Sequence, residues 1–392
     1  MIRPAIRQFA AAIVLLAFAT PGTAAAQDTG ECVASQLRSD PESVIAACSR
    51  LIADGAKPAA ERGRALSVRG SGYYYTKRWT LAAQDYDAAI ALLPTDEELL
   101  LSRSSTALRL GDGTLGRSLI EKVLTLNPSN PDAMWRVGAG YEDAGDYRTA
   151  IRFYAMALTI APRNQYALLF SSTSNQGLRR FDEALKTADA LVGLGPDEIN
   201  LKPYFDYQGN RLDFYFIALK NRARIHWMLG HLDRAEQDLN AAVTYRRSAM
   251  SLTARGHLLT YTPGREQQAF ADLQEAKSLG SEQYETFFDL GLILAKRQQF
   301  REALAEFDRA AGIFPPSGEA VRMRALMHRE LGETDLAFDD MIQAVTTEES
   351  ALKKTVVALR TAGYWRSSEA PDQLTPDFKD AIRACMLDKL CK

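Results

Sequence analysis

Apolar, small and polar positions along this 392-residue chain return in a fixed frame. Pro94, Pro128, Pro162 and Pro196 are evenly spaced and mark its length, and between them small and aromatic residues recur at fixed offsets. The stretch from Pro131 to Pro162 shows the frame most fully, with Gly138, Tyr141, Ala150, Tyr154 and Ala157 set among polar residues. This pattern predicts two helices per frame. Small residues belong where helices cross closely, because ridges enter grooves only over something short. The aromatics fill the gap beside them with apolar area, and the proline ends the second helix because it cannot continue one. A fixed period of roughly 20 to 50 residues marks an array of stacked units.

The same offsets extend over most of the chain. Gly70, Tyr73, Ala82, Tyr86, Ala89 and Pro94 form one unit; Ser104, Ala107, Gly116, Ile120, Val123 and Pro128 form the next. Ser172, Asn175, Ala184, Ala188, Leu191 and Pro196 follow. After an interruption the phase resumes with Ala223, Gly230, Ala235, Leu239 and Ala242, then Gly256, Ala269, Leu273 and Ala276, with one extra residue expected near Pro263 and Gly264. Gly291, Ala303, Phe307, Ala310 and Pro315 make another unit, and Ala325, Gly332, Ala337, Met341 and Ala344 the last. These residues resemble the tetratricopeptide repeat, a 34-residue helix–turn–helix. The resemblance covers residues 63–348 in about eight repeats. It implies an all-α fold, a right-handed α-solenoid with helical caps at both ends.

The expected organisation is a signal peptide at 1–26, an N-terminal helical cap at 27–62, four repeats at 63–196, an insertion at 197–214, four repeats at 215–348 and a C-terminal helical segment at 349–392. The insertion carries Tyr204, Phe205 and Tyr207. It either reaches a binding face as a loop or lengthens the following helix so that its aromatics pack on neighbours.

Arg3 and Arg7 precede an apolar stretch from Phe9 to Phe18, and Ala24, Ala25 and Ala26 offer a small-residue cleavage site before Gln27. That is the layout of a secretory signal, with cleavage expected near Ala26/Gln27 and a periplasmic or secreted product. Cys32 lies too far from the cut for a lipoprotein. The four cysteines form two close pairs, Cys32 with Cys48 and Cys385 with Cys391. In an oxidising compartment local bridges are expected, the first contributing on the order of 3 kcal/mol through loop entropy; free buried thiols are the alternative. Neither pair has metal-ligand spacing.

Removing Arg3 and Arg7 leaves 45 basic against 49 acidic residues, a net charge of −4. No basic stripe supports nucleic-acid binding. Chemistry is equally sparse. None of His226, His231, His257 and His328 sits in a metal motif or beside a cysteine. Phosphate-cradling and nucleophile-elbow motifs are missing. The expectation is a non-catalytic chain with no cofactor, no metal and no nucleic acid.

In tetratricopeptide arrays the first helix of each pair lines the concave face. Carried onto this chain, that resemblance places Trp135, Tyr166 and Trp227 there, with Arg224, Arg322 and Arg329. Exposed aromatics and arginines anchor protein contacts, so these six are the candidate partner-binding residues, holding a protein or peptide. The aromatics also suit packing between helices. A lysine, asparagine and arginine set used by some arrays to grip a chain terminus matches only at Arg136. Gly363, Tyr364, Trp365, Ala381 and Ile382 resemble small peptidoglycan-binding modules, although SSEAPDQL replaces that family's glycine-rich loop. The functional expectation is an interaction scaffold of the bacterial cell envelope. The alternative is a wall-associated module localised through residues 351–392, or a plain helical cap there.

Overall fold

The computed structural model describes residues 32–37, 40–199, 204–205, 211–313, 318–347, 349–367 and 374–388. Its contacts divide the chain into two compact units, residues 1–141 with 205–210, and residues 142–204 with 211–392. The predicted signal peptide and Cys391 lie outside the described residues, as does Tyr207 of the insertion. Among the described residues no helix is long and apolar enough to cross a membrane.

The first unit opens with a 3-10 turn, Ala34–Gln36, and helix α1, Pro41–Ala53. Asp40 caps α1 by accepting from the Ser43 amide, and Pro41 occupies the first turn, where its missing N–H costs nothing. Cys32 and Cys48 form the expected disulfide, with their Cα atoms 4.8 Å apart. Cys48 is fully buried beside Leu37, Val44 and Leu51. Helices α2 (Ala59–Tyr75), α3 (Trp79–Leu92), α4 (Glu97–Arg109) and α5 (Gly113–Leu126) follow, each packed on its predecessor. Helix α6 spans Pro131–Asp143.

The second unit contains α7 (Tyr147–Ile160), α8 (Gln165–Gly177) and α9 (Phe181–Val192). A short helix, α10 (Gly195–Ile199), and two two-residue strands, β1 (Tyr204–Phe205) and β2 (Arg211–Leu212), occupy the described part of the insertion. The next long helix begins at Phe214, the last residue of the expected insertion, and has 15 residues against 13 in α8. The regular pairs resume as α11 (Phe214–Met228) with α12 (Leu232–Tyr245), α13 (Ala249–Thr260) with α14 (Glu266–Ser278), α15 (Tyr284–Lys296) with α16 (Phe300–Ile313), and α17 (Gly318–Glu330) with α18 (Thr334–Thr347). Helices α19 (Glu349–Thr361) and α20 (Pro376–Leu387) pack on α18. The fold is thus all-α apart from the two minimal strands.

The frame is written into the backbone. Lys77, Gly111, Gly145, Arg179, Gly230, Gly264, Gln298 and Gly332 all have positive φ, between 58 and 82°. Successive members are separated by one repeat length, except for the step from Arg179 to Gly230, which contains the insertion. Within each unit these residues reverse the chain between the helices of a pair, and turns this short force neighbouring helices to run antiparallel. The extra residue expected near Gly264 is present. The turn from α13 to α14 spans five residues, 261–265, whereas that from α11 to α12 spans three. The link from α12 into α13 and helix α13 itself are each one residue shorter than the link from α7 into α8 and helix α8, which together restore the period.

Packing follows the small-against-large rule. A Cβ added to Gly291 would lie 2.6 Å from the Phe307 ring, and one added to Gly256 would lie 2.6 Å from Leu273. Only glycine allows either approach.

A recurring ion pair was not anticipated. Arg69, Arg222, Arg255 and Arg324 each grip, with two nitrogens, an aspartate on the second helix of their own pair: Asp85, Asp238, Asp272 and Asp340. The third nitrogen of each, Nη1, donates to the preceding second helix, at Ser49, Asp189, Asn240 and Asp308 respectively. Leu119 occupies the aspartate's place in the pair α4/α5. There Arg103 turns to Asp87 of α3, and its Nη1 is buried without a partner among the described residues.

Candidate functional pocket

The six expected partner-binding residues do not converge. Trp135 is buried to 9% exposure, donates from Nε1 to Asp132 and lies under the Arg136 guanidinium at 4.4 Å. Tyr166 packs edge-on against Phe214, 5.4 Å between centroids, within a cluster that includes Leu169 and Ile199. Tyr166 thus packs between helices, whereas the Trp135 contacts with Asp132 and Arg136 lie within α6. Arg322 pairs with Glu319 at 4.0 Å and lines a cavity of about 490 Å3 between α17, α18 and α19. Arg329 donates to Glu330 and lines a smaller one with Phe338 and Arg383.

Trp227 and Arg224 do come together. They line a pocket of about 260 Å3, wholly within the second unit, built by the first helices of three successive pairs. Helix α11 supplies Lys220, Ala223, Arg224 and Trp227; α13 supplies Thr253, Ala254, His257 and Leu258; the start of α15 supplies Gln283 and Glu285. Leu239 of α12 forms part of the floor. The Asp213 carboxylate caps α11 at the Phe216 amide, and a reciprocal Ser248–Ser251 capping box starts α13. These caps fix which side chains face the opening. Lys220 and Arg224 are one turn apart and share a face.

Trp227 keeps 38% of its surface exposed and leads an aromatic cluster. Its ring centroid is 6.1 Å from His257 and 6.3 Å from Tyr261, which is itself 5.2 Å from His257. His257 Nδ1 lies 2.6 Å from Asp289, and the Tyr261 hydroxyl donates to the same carboxylate at 3.2 Å. Asp289 has no exposed surface. Tyr261 is the first residue of the five-residue turn, so the irregular repeat supplies part of this cluster.

The electrostatics are uneven. Arg222, between the two pocket cations, is held by Asp238 and Asp189. Lys220 and Arg224 have no ion pair among the described residues, not even with Glu285 across the opening. Arg224 is exposed at the pocket mouth, yet the surrounding walls remove enough water to push its guanidinium pKa below the ordinary value. Burial alone would lower the His257 pKa, but the Asp289 hydrogen bond and charge outweigh it, so His257 lies above the ordinary histidine value. Burial raises the Asp289 pKa, against the opposing bonds from His257 and Tyr261.

Both shifts mean that the folded chain holds these protons more tightly than the unfolded one. Stability from His257 is therefore fully present below its unfolded value of about 6.5 and is lost as pH rises through its higher folded value. Asp289 acts in the same direction. His226, whose pKa burial lowers, acts in the opposite one. We expect His257→Gln to shrink the stability gained on acidifying from about pH 8.5 to about pH 6, measured by thermal unfolding at both values. An unchanged difference would show that His257 does not hold its proton.

The residues that resemble a peptidoglycan-binding module differ in burial: Gly363 is exposed, and Tyr364 and Trp365 are half-buried. Ala381 and Ile382 are buried, and Trp365 packs edge-on against Phe378 at 4.9 Å. Gly363 ends α19 at φ 84°. Cys385 is buried and disulfide-bonded; Cys391, its expected partner, lies outside the described residues.

Comparison with known proteins gives a consistent result. Residues 101–165 and 288–349 match the tetratricopeptide repeat family. Human tetratricopeptide repeat protein 6 is 28% identical over 216 residues, 54% of this chain; the chain spans only 37% of that relative's length. A tetratricopeptide repeat protein from Parabacteroides merdae has a similar structure, with a TM-score of 0.50 at 16% identity, over 68% of this chain and 98% of that one. The APC/C hetero-tetramer Cut9–Hcn1 gives a TM-score of 0.55 at 12% identity, over 90% of this chain and 60% of that one. At these identities the two structures establish a shared fold.

Proposed function

Since the chain is a tetratricopeptide-repeat protein, we propose that it is a non-catalytic interaction scaffold that holds a polypeptide partner in the pocket between α11, α13 and α15. The single observation behind this reading is the pairing of Trp227 with Arg224 at an opening that the described residues leave unfilled. Tryptophan and arginine are the side chains most often found to carry binding energy when covered by a partner. The apolar floor of Ala223, Leu239 and Leu258 adds area for a segment to bury.

The compartment is part of the proposal. A buried Cys32–Cys48 bridge suits an oxidising environment, and the stretch 1–26 has the layout of an export signal. We place the scaffold in the bacterial cell envelope, as a periplasmic or secreted protein. A wall-associated module localised through residues 351–392 is the second reading; there Ala381 and Ile382 belong to the core of the second unit, and Tyr364 and Trp365 pack against it while remaining partly exposed.

A photo-crosslinking amino acid at position 227, in the native host, tests the partner reading. It should capture a polypeptide that the same probe at Lys186, exposed on α9, does not. Equal capture at both positions, or none at position 227, would remove the pocket from the account.

A further inference from the structure

We infer that the pocket between α11, α13 and α15 selects a partner segment carrying two acidic side chains at alternate positions, an internal acidic-x-acidic stretch in extended conformation. The inference rests on the partner reading above and specifies its chemistry.

Of the three cations in this part of α11, only Arg222 is neutralised. Lys220 and Arg224 face the pocket with no acidic partner among the described residues. An arginine in a partly dehydrated wall is strongly served by a carboxylate, which it can bind with two parallel hydrogen bonds. His257 adds positive character when protonated, leaving Glu285 as the one acidic residue lining the opening.

Spacing distinguishes an internal segment from a chain terminus. Lys220 and Arg224 are one helical turn apart, which separates their β-carbons by about 5–6 Å. An extended chain rises about 3.3 Å per residue and returns to the same side every second residue, about 6.6 Å on. Two acidic side chains at positions i and i+2 therefore reach both cations together. A single terminal carboxylate supplies one negative charge to the two cations, whereas two acidic side chains supply one to each. The methylene stems of the two acids have the Trp227 ring and the Leu239 and Leu258 floor to pack against.

Three fluorescent peptides, titrated by anisotropy against the full chain, test the inference. One is acetyl-Gly-Glu-Leu-Glu-Gly-amide. The second is its amidated Gln-for-Glu counterpart. The third is the Gln peptide with a free C-terminal carboxylate. The acidic peptide should bind at least about tenfold more tightly than either neutral one, and raising salt to about 0.5 M should weaken it. Lys220→Gln and Arg224→Gln should each reduce its affinity about tenfold. Lys186→Gln should leave it unchanged, with circular dichroism confirming that every variant is folded. Equal binding of the acidic and Gln peptides, preference for the free carboxylate, or no binding of any peptide would overturn the inference. If crosslinking at position 227 persists in those cases, the partner reading stands and only its acidic character falls.

Discussion

Replacing Phe307 with alanine should cost the second unit about 3–5 kcal/mol, the range for a fully buried aromatic cut to a methyl. Phe307 has no exposed surface. Its ring meets Phe288 at 5.6 Å and presses on Gly291, leaving no room for a β-carbon there. The Gly291 side of the site is helix backbone, which cannot move in to fill the cavity as a side chain could. Urea denaturation followed by far-UV circular dichroism would show the loss; a change below about 1 kcal/mol would mean that the site relaxes freely. The same geometry makes a second, opposite demand. Gly291→Ala alone should destabilise by overpacking, roughly 1–3 kcal/mol, and adding Phe307→Leu should recover part of it. Other pairs already use that combination: Ala223 packs with Leu239 in one cluster, while Ala325 stands with Met341 at the equivalent positions. The two substitutions should therefore be clearly non-additive.

The helix pairs were legible because their signal is a volume rule repeated at a fixed period. Gly70 against Tyr86 and Gly291 against Phe307 each restate it, so a weak unit borrows certainty from a strong one. The turn near Gly264 was legible for the same reason. The pocket was only half legible. Trp227 and Arg224 stood out by residue type and helix position, and the fold brings them to one opening. Trp135 and Tyr166 have the same type on equivalent helices but are more covered, Trp135 beneath the Arg136 guanidinium and Tyr166 against the Phe214 ring. Whether an aromatic faces solvent depends on what stands opposite, and a periodic pattern carries no record of that. His257 belongs to no chemical motif in the sequence. Its bond to Asp289 joins side chains on different helix pairs, a separation that no short motif spans. The arginine–aspartate clamp was available in principle: arginine and aspartate recur at a nearly constant spacing in four units, as Arg69 with Asp85 and Arg255 with Asp272. It was hidden because charged residues on amphipathic helices usually belong to the solvated face.

That clamp supplies the second large effect. Asp238→Ala should destabilise the second unit by about 3 kcal/mol, the lower end of the range for breaking a buried ion pair by removing one partner. Asp238 is 6% exposed and accepts Arg222 Nε at 2.9 Å and Nη2 at 2.6 Å. Its hydrogen bonds hold the Arg222 pKa above the ordinary guanidinium value, and a guanidinium stays charged even without that partner. Asp189 remains, but it meets only Nη1 and is itself more than half exposed. Much of the cost is therefore the stranded guanidinium rather than the lost attraction. This separates the clamp from ordinary surface pairs such as Lys296 with Glu266, both about half exposed, whose loss should cost under about 1 kcal/mol. Two further variants isolate the cause. Arg222→Met combined with Asp238→Leu removes both charges and keeps apolar volume, and should restore most of the stability lost in Asp238→Ala. Asp189→Ala should cost less than Asp238→Ala, because it breaks the exposed limb alone. The pair α4/α5 shows the apolar substitution already in place, with Leu119 where the aspartate would stand and one Arg103 nitrogen without a partner among the described residues. Installing Leu119→Asp should give that nitrogen an acceptor and raise the first unit's unfolding midpoint; no gain would mean that Arg103 cannot turn back from Asp87.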